Sequence, residues 1–470
     1  MSGFFAYRHS PTWAQELLIS AKFSLRSMIR EGRAFEAISA EVHESEWWSE
    51  QELRGFQSEK LQMIVESAAR DVPYYRNKYR PLDLDFEKLR FPEAIAKLPL
   101  INKADVREGG RSLISERKRA PLFSGSTSGT TGAPLSLYQD LAAINRENAF
   151  IWRQLTWAGL RRGDRRAWMR GDMIVPATQE KPPYWRLNRA ENMLMLSSYH
   201  LSESAASAYL DSLARFDPVV IQAYPSSIGF LATWMMSTGF RYRGISLRGI
   251  VTSSETLSDV RRREIEGAFG CRVFDWYGQF ERVAAIGTCE QGRHHLLSDY
   301  SFVEMLPAED GLFELVGTGF NNLSMPLIRY RCGDLVRPAP ANERCACGRL
   351  FPLIEQIIGR VDDSIKLPDG RSIGRLDHLF KGVEGILEAQ IRQDRLDALT
   401  ILVVPSGGFN GRTRETLQDN ARYRLGDGVA VEIQMVDAIP RTKNGKFKGV
   451  ICNVDAGTDR RSDGSPGGQR

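Results

Sequence analysis

Ser124-Gly-Ser-Thr-Ser-Gly-Thr-Thr-Gly-Ala-Pro134 is the stretch on which the reading of this chain turns. Nine consecutive residues, 124 to 132, are Ser, Thr or Gly. Glycines let backbone amides turn toward one point, and hydroxyls add donors around it. That combination suits a polyphosphate. The stretch is not a Walker A loop, because no Gly-Lys-Ser/Thr follows. A flexible linker is the plainer reading of such composition. It is disfavoured because the run interrupts sheet-like sequence instead of separating two domains.

Around this loop, from about 120 to 360, short apolar runs alternate with helical patterns. Val219 to Ala223, Gly249 to Thr252, Arg272 to Trp276 and Ser301 to Met305 read as strands. Interleaving of this kind predicts an α/β sheet domain. Residues 11 to 80 read as helices. Trp13, Leu17, Leu18, Ala21, Leu25, Met28 and Ile29 follow helical spacing, with Lys22, Arg26, Arg30 and Arg33 on the other side. Such a basic amphipathic helix can lie on an anionic membrane, but packing of the apolar face on its own domain is the expectation. A second helix is expected over about 50 to 69, stopping before Val72-Pro73. The predicted division is a large N-terminal domain over 1–358, a small mobile α+β domain over 359–455, and a disordered tail over 456–470. The small domain is expected to carry strands near 389–392, 399–404 and 429–435, with a helix near 412–425. No internal repeat is visible.

The chain has 470 residues, 42% hydrophobic and 26% charged, which excludes wholesale disorder and a collagen-like fibre. The 63 Lys+Arg against 58 Asp+Glu leave +5, too mild to argue for a nucleic-acid partner. Met1 to Ser10 lacks the apolar segment of a signal peptide. No apolar run approaches the roughly 20 residues of a membrane span. Six cysteines in this setting point to a reducing, cytoplasmic compartment, with thiols or metal ligands in place of disulfides.

Further motifs follow the loop in order: Ser253-Ser254-Glu255, Tyr277-Gly-Gln-Phe-Glu281, Tyr330-Arg-Cys-Gly-Asp334, Gly359-Arg-Val-Asp-Asp-Ser-Ile-Lys366 and Pro440-Arg-Thr-Lys-Asn-Gly-Lys446. Together with the loop at 126–134, this series resembles the adenylate-forming, acyl-CoA ligase superfamily. Six ordered motifs from 124 to 446 are far more specific than any one alone. Ala69 to Arg76 (ARDVPYYR) and Leu98-Pro99 before Lys103 are similar to the phenylacetate–CoA ligase branch. The wording around Glu281 and at 367–374 looks closest to its CapK-like, capsular-polysaccharide members.

The resemblance implies a two-step reaction. A carboxylate attacks the α-phosphate of ATP, giving acyl-AMP and pyrophosphate; a nucleophile then displaces AMP. It assigns Lys446 to bridge the carboxylate and α-phosphate, as charge accumulating on phosphoryl oxygens demands. It assigns Ser126, Thr127, Ser128, Gly129, Thr130, Thr131 and Gly132 to the β- and γ-phosphates, and Glu281 to Mg2+, which prefers oxygen ligands. Ser254 and Glu255 would line the adenine pocket, Tyr277 would stack on adenine, and Asp334 would hold the ribose hydroxyls. Gly278 and Arg360 fall in the same motifs and join the nucleotide contacts. Asp362 is the hinge on which the small domain would rotate between the half-reactions. Read alone, Lys446 is simply part of a solvated basic run with Arg441, Lys443 and Lys448.

Two positions depart from the family pattern: Phe280 replaces a Thr or Ser near the phosphates, and Cys332 replaces a Thr. Neither removes the lysine or the two carboxylates. Cys345-Ala-Cys347-Gly348 and the upstream Cys289-x5-His295 could together make a closed tetrahedral zinc site of three thiolates and one imidazole. Spacing alone leaves buried thiols as the alternative and His294 as a rival ligand; a similar set in the phenylacetate–CoA ligase branch favours zinc on His295, with Asp299 four residues on. Cys271 and Cys452 read as apolar fillers. Arg161, Arg162, Arg165, Arg166 and Arg170 form a basic cluster that could meet an anionic acyl substrate or CoA phosphates, though a solvated loop is the simpler reading. The expected function is an ATP-dependent ligase joining an aryl or other small organic acid to CoA, with ATP, Mg2+, CoA and structural zinc. The expected partners are a small carboxylic acid and its acceptor, with possible homodimerisation and peripheral membrane contact. An amide ligase in capsular-polysaccharide or natural-product assembly is the closest rival. A non-catalytic nucleotide-binding scaffold is the third reading.

Overall fold

The computed structural model describes residues 7, 9–32, 34–117, 121–126, 135–176, 178–360, 365–368, 372–373, 376–380, 383, 385–426, 428–442 and 445–454. The chain divides into two compact units, Met1–Asp362 with Pro440–Phe447, and Asp363–Ile439 with Lys448–Arg470. Residues 440–447, placed in the small domain by the sequence reading, thus pack with the larger unit. The expected tail at 456–470 lies outside the described residues.

The larger unit begins with helices α1 (Thr12–Arg30), α2 (Phe35–Ser45), α3 (Glu50–Asp71), α4 (Pro73–Tyr79) and α5 (Lys103–Gly109). Helix α3 starts where Ser49 accepts from the Glu52 amide while Glu52 reaches back to the Ser49 amide. It stops at Val72, held extended by Pro73, which opens α4 at its first turn. Leu61, Ile64, Val65 and Ala68 of α3 are buried in one core with Tyr75 and Tyr79 of α4.

Strands β1 (Phe123–Ser126) and β2 (Ser136–Gln139) pair antiparallel on either side of the glycine-rich loop. After α6 (Leu141–Trp157) come β3 (Arg166–Met169), β4 (Trp185–Asn188), β5 (Met193–Leu196) and, past α7 (Glu203–Phe216), β6 (Val220–Ala223). Helix α8 (Pro225–Thr238) leads to β7 (Gly249–Ser253), and α9 (Asp259–Phe269) leads to β8 (Arg272–Gly278). Strands β9 (Ala285–Thr288), β10 (His294–Leu296), β11 (Ser301–Pro307), β12 (Phe313–Gly319), β13 (Tyr330–Pro338) and β14 (Leu353–Arg360) complete a twelve-stranded sheet. Its order is β11-β12-β13-β14-β10-β9-β8-β7-β6-β3-β5-β4. Within it β5, β3, β6, β7 and β8 run parallel. Every residue of β5, β6 and β7 is buried, which explains why their sequences read as apolar runs without alternation.

The smaller unit contains β15 (Ile365–Lys366), β16 (Ser372–Ile373), β17 (Ile386–Arg395), β18 (Ala398–Pro405), α10 (Gly411–Leu425), β19 (Ala430–Met435) and β20 (Val450–Cys452). Its main sheet runs β19-β18-β17-β20. Ile391, Ile401, Leu417, Ala421 and Ile433 form its core. The expected strands and helix of this segment match these elements to within a few residues. The chain is therefore mixed α/β, a large sheet-rich body with a smaller C-terminal α+β unit.

Helix α1 departs from expectation. Its inward face is Gln15, Ile19 and Phe23, laid against β4 and the turn at Arg189–Glu191. Trp13, Leu17, Leu18, Leu25, Met28 and Ile29 point outward instead of packing on the domain. Apolar spacing located the helix but not its buried side. Gln15 wins the inward position because its amide group has polar work there: it accepts from Arg186 Nε at 2.7 Å and donates to the Ser10 carbonyl at 2.9 Å. No helix among the described residues is long and apolar enough to cross a membrane.

One buried ion pair binds three parts of the larger unit. Arg153 of α6 donates to both carboxylate oxygens of Asp299, at 2.5 and 3.2 Å, and to the Val42 carbonyl of α2 at 2.8 Å. Ser45 donates to the same carboxylate. Removing one partner of such a pair strands a buried charge. Asp299→Ala is therefore expected to lower unfolding free energy by about 3–5 kcal/mol in a urea melt; a loss within error of zero would show that water solvates Arg153.

Candidate active site and metal cluster

The carboxyl ends of β3, β5, β6 and β7 emerge along one edge of the sheet. Arg170 follows β3, Ser198 and Tyr199 follow β5, Tyr224 follows β6, and Ser254 follows β7. The chain leaves β3 for β5 on one side and later returns to β6 on the other. In open α/β sheets such a reversal leaves a crevice where ligands bind.

The stretch carrying Lys446 is built onto this edge. The Gly445 amide donates to the Thr442 carbonyl at 2.8 Å, and the Thr442 amide to the Lys446 carbonyl at 3.0 Å. The Lys446 amide donates to Thr442 Oγ1 at 3.1 Å. Gly445 has φ +69°, and a Cβ there would lie 2.5 Å from Gly171 Cα and 2.9 Å from Tyr199 Oη. Only glycine allows the loop to seat that closely. Glu255 then fastens it, accepting from the Phe447 amide at 2.6 Å and the Ser226 amide at 3.0 Å. Burial pushes the Glu255 carboxyl above its ordinary range, and those amides oppose the shift.

Strand β8 lies beside β7, with Trp276 opposite Ser253, so Tyr277 and Ser254 follow neighbouring positions. Tyr277 Oη donates to Asp334 Oδ2 at 2.7 Å, and Gln279 Nε2 donates to the same oxygen at 2.8 Å. Burial raises the Tyr277 phenol, keeping it a donor. Asp334 is itself buried on β13, opposite Arg360 of β14. Tyr330 Oη donates to Glu281 Oε1 at 3.3 Å. The ring of Phe280 stands over β1, where a Cβ on Gly125 would come 2.2 Å from its Cζ. The aromatic ring at 280 is thus matched by a glycine in β1. The backbones of Ser126 and Arg360 are placed in strands, and Gly278 ends β8. Thr127, Ser128, Gly129, Thr130, Thr131, Gly132 and Asp362 lie outside the described residues.

The sheet also assembles the four predicted metal ligands. Cys289 follows β9, His295 sits on β10, and Cys345 and Cys347 lie in the turn between β13 and β14. Their ligand atoms all lie within 4.8 Å of one another. Cys289 Sγ and Cys345 Sγ are 3.6 Å apart, and Cys347 Sγ is 3.4 Å from His295 Nε2. The Phe351 carbonyl lies 3.4 Å from His295 Nδ1, so a proton held there leaves the Nε2 lone pair toward the thiols. Burial holds His295 neutral, its pKa down to about 4. His294 faces elsewhere, toward Thr288 Oγ1 at 3.0 Å and Arg262 at 3.2 Å. Three sulfurs and one imidazole nitrogen at these separations fit tetrahedral zinc.

Sequence reasoning missed two features. Glu255 was assigned to the adenine pocket, yet its carboxylate holds the lysine loop. Arg170 was grouped with four neighbouring arginines as a solvated cluster. It stands apart from them, because the strand Arg166–Met169 carries it to the sheet edge. Recognising Ala167-Trp-Met169 as a short strand would have separated them.

The fold is that of adenylate-forming CoA ligases. A crystal structure of 2-hydroxyisobutyryl-CoA ligase in the postadenylation state, in complex with R3-HIB-AMP, superposes with a TM-score of 0.66 at 21% identity, covering 87% of this chain and 91% of that one. The same ligase in its thioesterification state, with 2-HIB-AMP and CoA, gives 0.53 at 22% identity over 87% and 91%. Residues 366–453 match the family model of the CapK C-terminal domain. The chain is 25% identical to Protein CapK of Staphylococcus aureus over 96% of its own length and 99% of the relative's. It is 24% identical to the phenylacetate-coenzyme A ligase of Thermus thermophilus over 85% and 96%. The chain resembles the phenylacetate–CoA ligase and CapK-like branch of the adenylate-forming superfamily along most of its length.

Proposed function

We propose that the protein is an AMP-forming acid–thiol ligase that adenylates a small organic acid and passes the acyl group to CoA. The observation that carries this reading is the seating of the Lys446 loop at the carboxyl ends of the parallel strands, fastened by Glu255 to the Phe447 amide at 2.6 Å. A solvated basic run has no reason to be clamped there by a half-buried carboxylate. Lys446 is the cation for the attacking carboxylate and the α-phosphate. Its charge offsets negative charge that grows as the acyl oxygen bonds to phosphorus and pyrophosphate leaves. Asp334, steadied by Tyr277 and Gln279, takes the ribose hydroxyls, and the edge at Ser254 and Tyr277 takes the base. The loop at 126–132 holds the β- and γ-phosphates. Glu281 would hold Mg2+, which neutralises phosphate charge. Asp362 serves as hinge between the half-reactions. The relatives named phenylacetate-coenzyme A ligases support CoA as acceptor.

Cys289, His295, Cys345 and Cys347 would hold a structural zinc ion. Four protein ligands leave no open position for chemistry, so the ion would knit β9, β10 and the β13–β14 turn. Purified protein is expected to carry one zinc per chain by elemental analysis. Chelation or Cys345→Ala should lower the unfolding temperature without changing which acid is used. Metal-free protein of unchanged stability would contradict the assignment.

Acid-dependent pyrophosphate release in MgATP with hydroxylamine as trap tests the ligase reading. Lys446→Ala should lower it by about 10²–10³-fold while ATP binding persists. Added CoA should yield a thioester; product only with added amines would favour the amide-ligase reading. A Lys446→Ala variant of full activity would refute the assignment.

A further inference from the structure

Arg170 occupies the point where the sheet reverses direction, between Tyr199 after β5 and Tyr224 after β6. Its backbone is fixed: Ser198 Oγ donates to its carbonyl at 3.0 Å, and Tyr199 Oη donates to the next carbonyl, of Gly171, at 3.1 Å. Its guanidinium lies 4.9 Å from the Trp168 ring centroid and 5.3 Å from that of Tyr224. One nitrogen, Nη2, donates to Ser254 Oγ at 2.6 Å. No described carboxylate forms an ion pair with it. The two acidic groups whose charge it feels are committed elsewhere. Asp172 accepts from Trp168 Nε1 at 2.7 Å, and Glu255 accepts from two backbone amides. A guanidinium offers five donors, and this one lies between aromatic faces with one hydrogen bond among the described residues.

Its surroundings say which part of the reactants it meets. The backbone at Arg170 lies next to the Lys446 loop through the Gly445–Gly171 contact, and its guanidinium extends along the edge to Ser254, just after the strand beside the one that carries Tyr277. The reacting carboxylate is already assigned to Lys446. We propose that Arg170 reads a second anionic group on the acyl substrate, so that the protein takes acids bearing a further carboxylate or comparable anion in preference to plain aryl or alkyl monoacids. The proposal rests on the adenylation reading given above.

The test compares succinate, glutarate and phthalate with butyrate, benzoate and phenylacetate in the hydroxylamine-trapped assay, for the full chain and for Arg170→Met and Arg170→Lys. The diacids are expected to be favoured. Arg170→Met should raise their KM by about 10–100-fold and leave monoacid turnover unchanged or improved. Arg170→Lys should recover part of the loss. Monoacids preferred, with Arg170→Met indifferent, would overturn this proposal and leave the ligase reading standing. Silence with every acid, despite MgATP binding, would overturn both.

Discussion

The parallel block β5-β3-β6-β7-β8 is the constraint on which the rest of this protein depends. Strands running the same way deliver their carboxyl ends to one edge, so residues scattered from 169 to 278 in sequence become neighbours. Its strands β5, β6 and β7 are buried on both faces, as parallel sheets require, and their mostly apolar sequences are the chain's way of meeting that demand. Side chains with chemistry then occur immediately after each strand, where the backbone turns out of the sheet: Arg170, Tyr199, Tyr224 and Ser254. The loop at 440–447 arrives from far along the chain and is held against this edge by a hydrogen bond to the half-buried Glu255 carboxylate and by a glycine that lets backbones touch.

Much of this was legible before any coordinates. The strands at 219–223, 249–252 and 272–276 announced themselves because buried parallel strands read as short, mostly apolar runs bounded by turn residues. The small unit was legible because β17, β18 and α10 carry local signals of ordinary length. The cysteine and histidine set was legible as a pattern; His295 was favoured over His294 only through the resemblance, and β10 supplies the physical reason, since adjacent strand residues point to opposite faces. The orientation of α1 was not legible. Helical spacing finds an apolar face, but which face goes inward depends on what the rest of the fold presents, and here Arg186 presents a donor that only Gln15 satisfies. The role of Glu255 was hidden for a similar reason: its partner is a backbone amide almost two hundred residues away, which side-chain identity does not report.

The departures from the family pattern acquire physical sense in the same frame. Phe280 lacks the hydroxyl that the family motif carries at this position, yet its ring fits over Gly125, so the change is a matched piece of packing and not a blemish in an otherwise intact motif. Cys332 is half-buried beside Asp334, where a thiol tolerates desolvation more cheaply than a hydroxyl without a partner. Lys446, Glu281 and Asp334, the groups that carry charge in the proposed chemistry, are all present.

The central claim is that an acid carboxylate becomes bonded to the α-phosphorus of ATP at this edge. It is tested most directly with an acid that supports pyrophosphate release, labelled with ¹⁸O in its carboxyl group, in the presence of MgATP and CoA. The account predicts that one labelled oxygen appears in AMP, because the bond broken in thioester formation is the one between the acyl carbon and that oxygen. Unlabelled AMP, or label in inorganic phosphate with ADP as the nucleotide product, would contradict it.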